Sequence, residues 1–65
     1  MLFRSIHSIG YDLQEQILEV EFLNGGVYQY SNVLENEYEQ LMAASSKGRF
    51  IGSRIRDKYR TKKVR

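Results

Sequence analysis

The side chains that could do covalent chemistry are few and lie near the N-terminus. His7 stands between Ser5 and Ser8, a pairing of a base with hydroxyl nucleophiles. In an extended segment side chains alternate between faces, so Ser5 shares the face of His7 and Ser8 points away. One short strand supplies neither an acid to orient the imidazole nor an oxyanion hole. We therefore expect no catalytic residue, a protein that is not an enzyme, and His7 as a partly buried strand residue.

The carboxylates do not form an acid–base pair or a metal site. Glu19 and Glu21 are two residues apart and share the exposed face of a predicted strand, which is typical of a solvated surface. The same interpretation applies to the acidic residues Glu35, Glu37 and Glu39. The chain has no cysteine and one histidine, which excludes Cys-ligated and multi-histidine metal sites. We expect no metal and no cofactor.

The basic side chains are the strongest functional signal. Residues 1–46 carry one basic and seven acidic side chains, a net charge of −6, whereas residues 47–65 carry nine basic and one acidic, a net charge of +8. The overall charge of +2 hides this division. Clustered cations neutralise phosphates and release counterions, so they favour nucleic acid; the alternative is a solubilising face or an intramolecular partner for the acidic body. The expected phosphate contacts are Lys47, Arg49, Arg54, Arg56, Lys58 and Arg60.

Two further features extend this hypothesis. Tyr28 and Tyr30 share one face of a predicted strand, where aromatic rings can stack on unpaired bases; the alternative is that both rings belong to the core and keep only their hydroxyl groups in water. Residues 46–49 open a predicted helix beside two cations, a possible anion site. Its alternative is an ordinary Ser46 cap, with Gly48 allowing close packing.

Hydrophobic periodicity predicts the elements that position these groups. Strands are predicted at residues 3–11 and 17–23, the second with clear alternation. Asn24-Gly25-Gly26 predicts a hairpin with a type I′ turn, and a third strand follows at residues 27–31. A helix begins near Glu35, with Asn32 or Asn36 as its cap.

A second helix over residues 46–59 is predicted to dock on the sheet through Phe50, Ile51 and Ile55. Residues 60–65 have almost no apolar content and are predicted to form a flexible basic tail. The expected fold class is α+β: a three-stranded antiparallel sheet followed by two helices packed on one face, in a single domain over residues 1–65.

Five short motifs follow one another in a recognisable order: Ile9-Gly10-Tyr11-Asp12, Leu18-Glu19-Val20-Glu21-Phe22, Gly26-Val27-Tyr28-Gln29-Tyr30, Tyr38 to Leu41, and Ser46-Lys47-Gly48-Arg49-Phe50 with Ile55. This order resembles the KTSC domain, a small module found at the C-terminus of some lysyl-tRNA synthetases and as a stand-alone bacterial or phage protein. The chain departs from the family pattern at Leu34, where proline is usual, and at Gly52, where asparagine is usual.

RNA binding is the function usually suggested for that family, so the resemblance agrees with the charge distribution. We expect a small module that binds RNA, in preference to DNA, or another single-stranded nucleic acid. One alternative is a protein-interaction or self-association module that uses the acidic sheet face and the basic helix, with an acidic protein or a second copy as partner. Another is a small phage or host regulatory protein that binds an anionic nucleotide. The apolar runs are too short to span a bilayer and no signal peptide is recognisable, so we expect a cytoplasmic protein without a membrane partner.

Overall fold

The sheet has four antiparallel strands in the order β1-β2-β3-β4 in a computed structural model that describes residues 6–65. The strands are β1 (Ile6–Asp12), β2 (Ile17–Phe22), β3 (Val27–Tyr30) and β4 (Thr61–Lys63). The helices are α1 (Glu35–Ala43) and α2 (Lys47–Phe50), which continues as a π-helical turn (Ile51–Ile55). The predicted α+β class, with a sheet followed by two helices, is confirmed, although the sheet has one more strand than expected. Residues 3–5 of the predicted first strand lie outside the described residues.

The alternation of β2 places the core between the sheet and the helices. Leu18 and Val20 are fully buried on one face of β2, whereas Glu19 between them is exposed on the other. Burial of this face removes apolar surface from water and ties the sheet to the helices. The core cluster comprises Leu18, Val20, Tyr30, Val33, Leu41, Ile51 and Ile55.

The hairpin between β2 and β3 is confirmed, but its predicted type I′ turn is wrong. That turn needs positive φ at both central residues, and Asn24 is not among the described residues with positive φ. Instead the Gly25 N–H donates to the Phe22 carbonyl (2.9 Å), and Gly25 adopts φ +95°. This is the three-residue arrangement in which a left-handed glycine follows a type I turn.

The two helices begin differently. Neither Asn32 nor Asn36 caps α1, because Leu34 occupies the N-cap position without a side-chain hydrogen bond. The side chain of Asn36 instead accepts a hydrogen bond from Gln40 Nε2 (3.0 Å). At α2 the predicted cap is present, since Ser46 Oγ accepts from the Arg49 N–H (3.3 Å).

The π turn keeps the apolar face of the second helix on the sheet. The Arg56 N–H donates to the Ile51 carbonyl (2.8 Å), five residues back. Ile51 and Ile55 are both buried in the core cluster, as predicted. No helix within residues 6–65 combines the length and apolarity needed to cross a membrane.

The predicted flexible tail is wrong for residues 61–63, which form β4. Lys62 pairs with Gln29 and Lys63 with Tyr28, and the Ser31 N–H donates to the Arg60 carbonyl (3.0 Å). Beyond the strand, the Val27 N–H donates to the Arg65 carbonyl (3.0 Å). Backbone pairing therefore holds this basic segment against β3 although its side chains are exposed.

Candidate nucleic-acid interface

A buried carboxylate organises part of the basic surface. Glu37, in the first turn of α1, is 8% exposed. Its Oε1 accepts hydrogen bonds from the Tyr59 hydroxyl (3.0 Å) and from Lys58 Nζ (3.2 Å). Its Oε2 lies 3.7 Å from Arg54 Nη2 and makes no hydrogen bond within residues 6–65. Glu37 therefore joins α1 to the segment that leads into β4.

These contacts set the protonation states in the cluster. Burial acts to raise the pKa of Glu37, but the hydrogen bonds from Tyr59 and Lys58 and the charges of Lys58 and Arg54 outweigh it and hold that pKa below its usual value. The hydrogen bond to Glu37 raises the pKa of Lys58. Burial and the same carboxylate raise the pKa of Tyr59. At neutral pH Glu37 is therefore a carboxylate and Lys58 a cation, whereas the Tyr59 hydroxyl keeps its proton.

Arg54 is further held by its neighbours on the helices. Its guanidinium group lies 5.0 Å from the centre of the Phe50 ring. Its Nη2 also donates to Gln40 Oε1 (3.3 Å). Together with Glu37, these contacts engage Arg54 on the flank that faces α1. Arg54 and Lys58 are thus predicted phosphate ligands whose charge is partly neutralised within the chain.

The remaining predicted cations lie elsewhere. Lys47 lines a groove between β1 and the α1–α2 connection. Arg49 and Arg60 are exposed, and within residues 6–65 neither has a carboxylate partner. These two arginines keep their full positive charge available to a ligand.

Arg56, at the end of the π turn, is exposed. Its guanidinium group is 3.9 Å from the carboxylate of neighbouring Asp57, which is itself largely exposed. Burial raises the pKa of the Tyr30 hydroxyl, and the positive charge of Arg56 opposes that shift. The charge of Arg56 therefore acts on the Tyr30 hydroxyl of β3.

The two tyrosines of β3 differ in exposure. Tyr30 is 2% exposed and belongs to the core, so of the two alternatives for its ring the structure shows the core position and not a stacking platform. Tyr28 is only partly buried, and its ring meets that of Phe22 edge to face (5.7 Å between centres, 77°). The residue of β4 that pairs with Tyr28 is Lys63. A partly exposed ring and a lysine therefore stand side by side.

The N-terminal chemistry candidates do not assemble. His7 is exposed, contrary to the prediction of partial burial, and its Nδ1 lies 3.6 Å from Glu21 Oε1. The Ser8 hydroxyl donates to that same oxygen (3.2 Å), and Ser5 lies outside the described residues. Within the described part of the chain no three potential ligands are grouped as a metal ion requires. The anion site suggested at residues 46–49 consists of the Ser46 cap and a four-residue helix.

Two features of this surface are absent from the sequence-based prediction. The burial of Glu37 was missed, although Glu37 precedes the buried Leu41 by four residues and so shares its face of α1. The positions of Lys62 and Lys63 were missed because a strand of three residues with two lysines has no apolar pattern.

Comparisons with known proteins agree with the fold. The KTSC domain family matches residues 4–59. A crystal structure of a KTSC domain protein from Yersinia pestis superposes with a TM-score of 0.87 at 42% identity, covering 92% of this chain and 84% of that one. A Tsukamurella paurometabola protein is 38% identical over 56 residues, covering 86% of this chain and 84% of that protein. An uncharacterized Stutzerimonas stutzeri protein is 47% identical over 45 residues, covering 69% of this chain and 63% of that protein.

The match extends over nearly all of the chain, including the strand, hairpin and helix segments that carry the resemblance in the sequence. The similarity to the Yersinia protein covers the same architecture in three dimensions. The chain therefore belongs to the KTSC domain family.

Proposed function

We propose that this chain is a small module that binds RNA, or another single-stranded nucleic acid, through its C-terminal third. The observation that carries the proposal is the docking of β4. Backbone pairing with β3 holds Lys63 beside the partly exposed ring of Tyr28 and Lys62 beside Gln29, so the two lysine side chains lie on opposite faces of the β4 edge, next to Arg60. Cations that follow a backbone, combined with an aromatic ring on which a base can stack, are the features of single-strand binding surfaces.

The contacts of Glu37 indicate which cations are available to a phosphate, because some of them are paired with its carboxylate and others are not. Arg54 and Lys58 share the carboxylate of Glu37, so they release less counterion when a phosphate approaches. Arg49 and Arg60 have no carboxylate partner within residues 6–65. Arg49 and Arg60, with the two lysines of β4, are therefore the principal phosphate contacts, and Tyr28 is the candidate base contact.

The test is fluorescence anisotropy of a labelled mixed-sequence single-stranded RNA between about 50 and 200 mM salt. Each phosphate contact on a single strand contributes about −0.7 to the slope of log K against log salt concentration. Arg49→Gln should weaken binding and make the slope shallower by about that amount. Arg54→Gln is the matched control, because it removes the same charge from a position already paired with Glu37, and its slope should stay close to that of the wild type.

Two results would overturn the proposal: no binding at the lower salt concentration, or binding that does not depend on salt. Poly-glutamate is used as a competitor to distinguish a site for nucleic acid from a site for acidic proteins. If it displaces the RNA as effectively as unlabelled RNA does, the basic surface is a site for acidic proteins, which is the alternative partner class. If Arg54→Gln weakens binding as much as Arg49→Gln, the division of cations by Glu37 is wrong.

A further inference from the structure

The two edges of the sheet are chemically different. Within residues 6–65, β1 pairs only with β2, and β4 pairs only with β3. The β4 edge carries Lys62 and Lys63, and lysine on an edge strand opposes pairing with another chain. The β1 edge has no charged side chain from Ile6 to Tyr11, apart from the titratable His7. Within residues 6–65 the sheet is therefore protected by charge at the β4 edge, whereas the β1 edge is interrupted only by an irregular register between Ile6 and Ser8 and is regular from Ser8 to Asp12.

The hydrogen-bond pattern of the sheet determines which N–H and C=O groups of β1 are left unpaired at its outer edge. The Phe22 N–H donates to the Gly26 carbonyl (2.9 Å), so the even-numbered residues of β2 bond to β3 and the odd-numbered ones to β1. Gly10 is paired with Glu19 and therefore directs its N–H and C=O toward β2. The N–H and C=O groups of Ile9 and Tyr11 therefore point outward from the β1 edge, in the plane of the sheet.

A groove runs along this edge on the side of the helices. It has a volume of about 500 Å³ and lies between β1 and the α1–α2 connection. Ile6, Ile9 and Met42 provide its apolar lining, and Met42 is 41% exposed. Among residues 6–65, the lining of the groove includes one lysine, Lys47, and no carboxylate. An apolar side chain from an added strand would find a hydrophobic surface here.

We propose that β1 pairs antiparallel with β1 of a second copy, which forms a continuous eight-stranded sheet around a twofold axis near Ile9. The outward N–H and C=O groups of Ile9 and Tyr11 would bond to the same strand of the other copy. Ile9 of each copy would lie beside the groove of the other. Such an interface is self-complementary, as twofold symmetry requires.

The charge distribution favours a second copy as the occupant. Pairing β1 with itself brings no permanently charged side chains of like sign into opposition over Ile6–Tyr11. It places the two basic β4 strands at the far ends of the joined sheet. The two acidic β2 strands, which carry Glu19 and Glu21, are separated by three strand spacings of about 4.8 Å, or roughly 14 Å, beyond the Debye length of about 8 Å at physiological ionic strength.

Amide hydrogen exchange across a dilution series, with sedimentation at the same concentrations, tests the pairing without nucleic acid. The amides of Ile9 and Tyr11 should exchange rapidly in dilute protein and become protected at about 1 mM. The Gly10 amide, which faces β2, is the internal control and should be protected throughout. The sedimenting mass should rise from that of one 7.7 kDa chain toward two, with little loss at high salt because the interface carries no ion pairs.

Two chains made by total synthesis give a matched comparison. N-methylation at Ile9 removes one outward N–H from each copy and should weaken self-association about tenfold or more. N-methylation at Leu23, an exposed hairpin residue whose N–H makes no hydrogen bond within residues 6–65, should leave it unchanged. The proposal is overturned if the wild type keeps the mass of one chain at about 1 mM. It is equally overturned if Ile9 and Tyr11 exchange at the same rate at all concentrations, or if both methylated chains associate alike.

Discussion

Replacing Glu37 with glutamine removes the charge that joins α1 to the C-terminal segment and keeps the size of the side chain. The side chains of Arg54 and Lys58 are 51% and 58% exposed, so they recover hydration when the carboxylate is lost. The Tyr59 hydroxyl, in contrast, exchanges a charge-assisted hydrogen bond for a neutral one, which is roughly half as strong. We therefore expect Glu37→Gln to lower the free energy of unfolding by about 1–2 kcal/mol, or the melting temperature by roughly 5–10 °C.

Thermal and urea unfolding followed by circular dichroism measure this change. Glu39→Gln is the matched control, since Glu39 lies on the same helix and is exposed, and its effect should stay within about 0.5 kcal/mol. The reasoning is refuted if the two variants are equally stable, or if Glu37→Gln is more stable than the wild type. Equal stability would mean that the gain from the partners of Glu37 only balances the cost of burying its carboxylate, and a more stable variant would mean that the cost exceeds the gain.

The same carboxylate predicts a pH dependence. Because the pKa of Glu37 is lower in the folded protein than its usual value, its contribution to stability is complete above the ordinary glutamate pKa of about 4.3. That contribution is lost as the pH falls through the lower, folded-state pKa. The stability difference between the wild type and Glu37→Gln should therefore be constant near neutral pH and shrink in acid. A difference that grows on acidification would contradict this sign.

Three further changes have expected outcomes measurable by urea unfolding. Tyr11→Phe removes the hydrogen bond from the Tyr11 hydroxyl to the Val33 carbonyl (2.5 Å) and should cost about 1 kcal/mol; no change would mean that water replaces the bond at no cost. Gly25→Ala strains a residue at φ +95° and should lower the free energy of unfolding by about 1 kcal/mol. Gly10→Ala is the control, because the added carbon has open space around it, and it should leave that free energy unchanged. Equal effects of the two substitutions would contradict the expected strain at Gly25. Truncation after Tyr59 removes β4 and should destabilise the fold as well as weaken RNA binding, and an unchanged urea midpoint would show that β4 contributes nothing.

Much of the sheet could be predicted from the sequence because its signals are local. The alternation of Leu18, Val20 and Phe22 against two glutamates identified β2 and its buried face, and Asn24-Gly25 identified the hairpin. The geometry of the turn was not predictable in the same way. Asn-Gly is compatible with more than one hairpin type, and the choice depends on how the two strands pair beyond it.

The errors lie where long-range contacts override local pattern. Residues 61–63 carry no apolar periodicity, and they form a strand because β3 offers an unpaired edge. Tyr28 and Tyr30 share a strand face, yet only Tyr30 is almost completely buried. Glu37 is buried because three side chains far along the sequence converge on it. Composition predicted where the cations are, and the fold decides which of them are neutralised.

Nucleic-acid binding by the C-terminal third is best tested by titrating the isotope-labelled chain with single-stranded RNA and following its amide chemical shifts. We expect the largest shifts at Arg49, Arg60, Lys62 and Lys63, with a smaller effect at Tyr28. Amides of Ile9 and Tyr11 in β1, at the other edge of the sheet, should not move. Shifts concentrated on β1, or no shifts at low salt, would contradict the proposal that the C-terminal third binds nucleic acid.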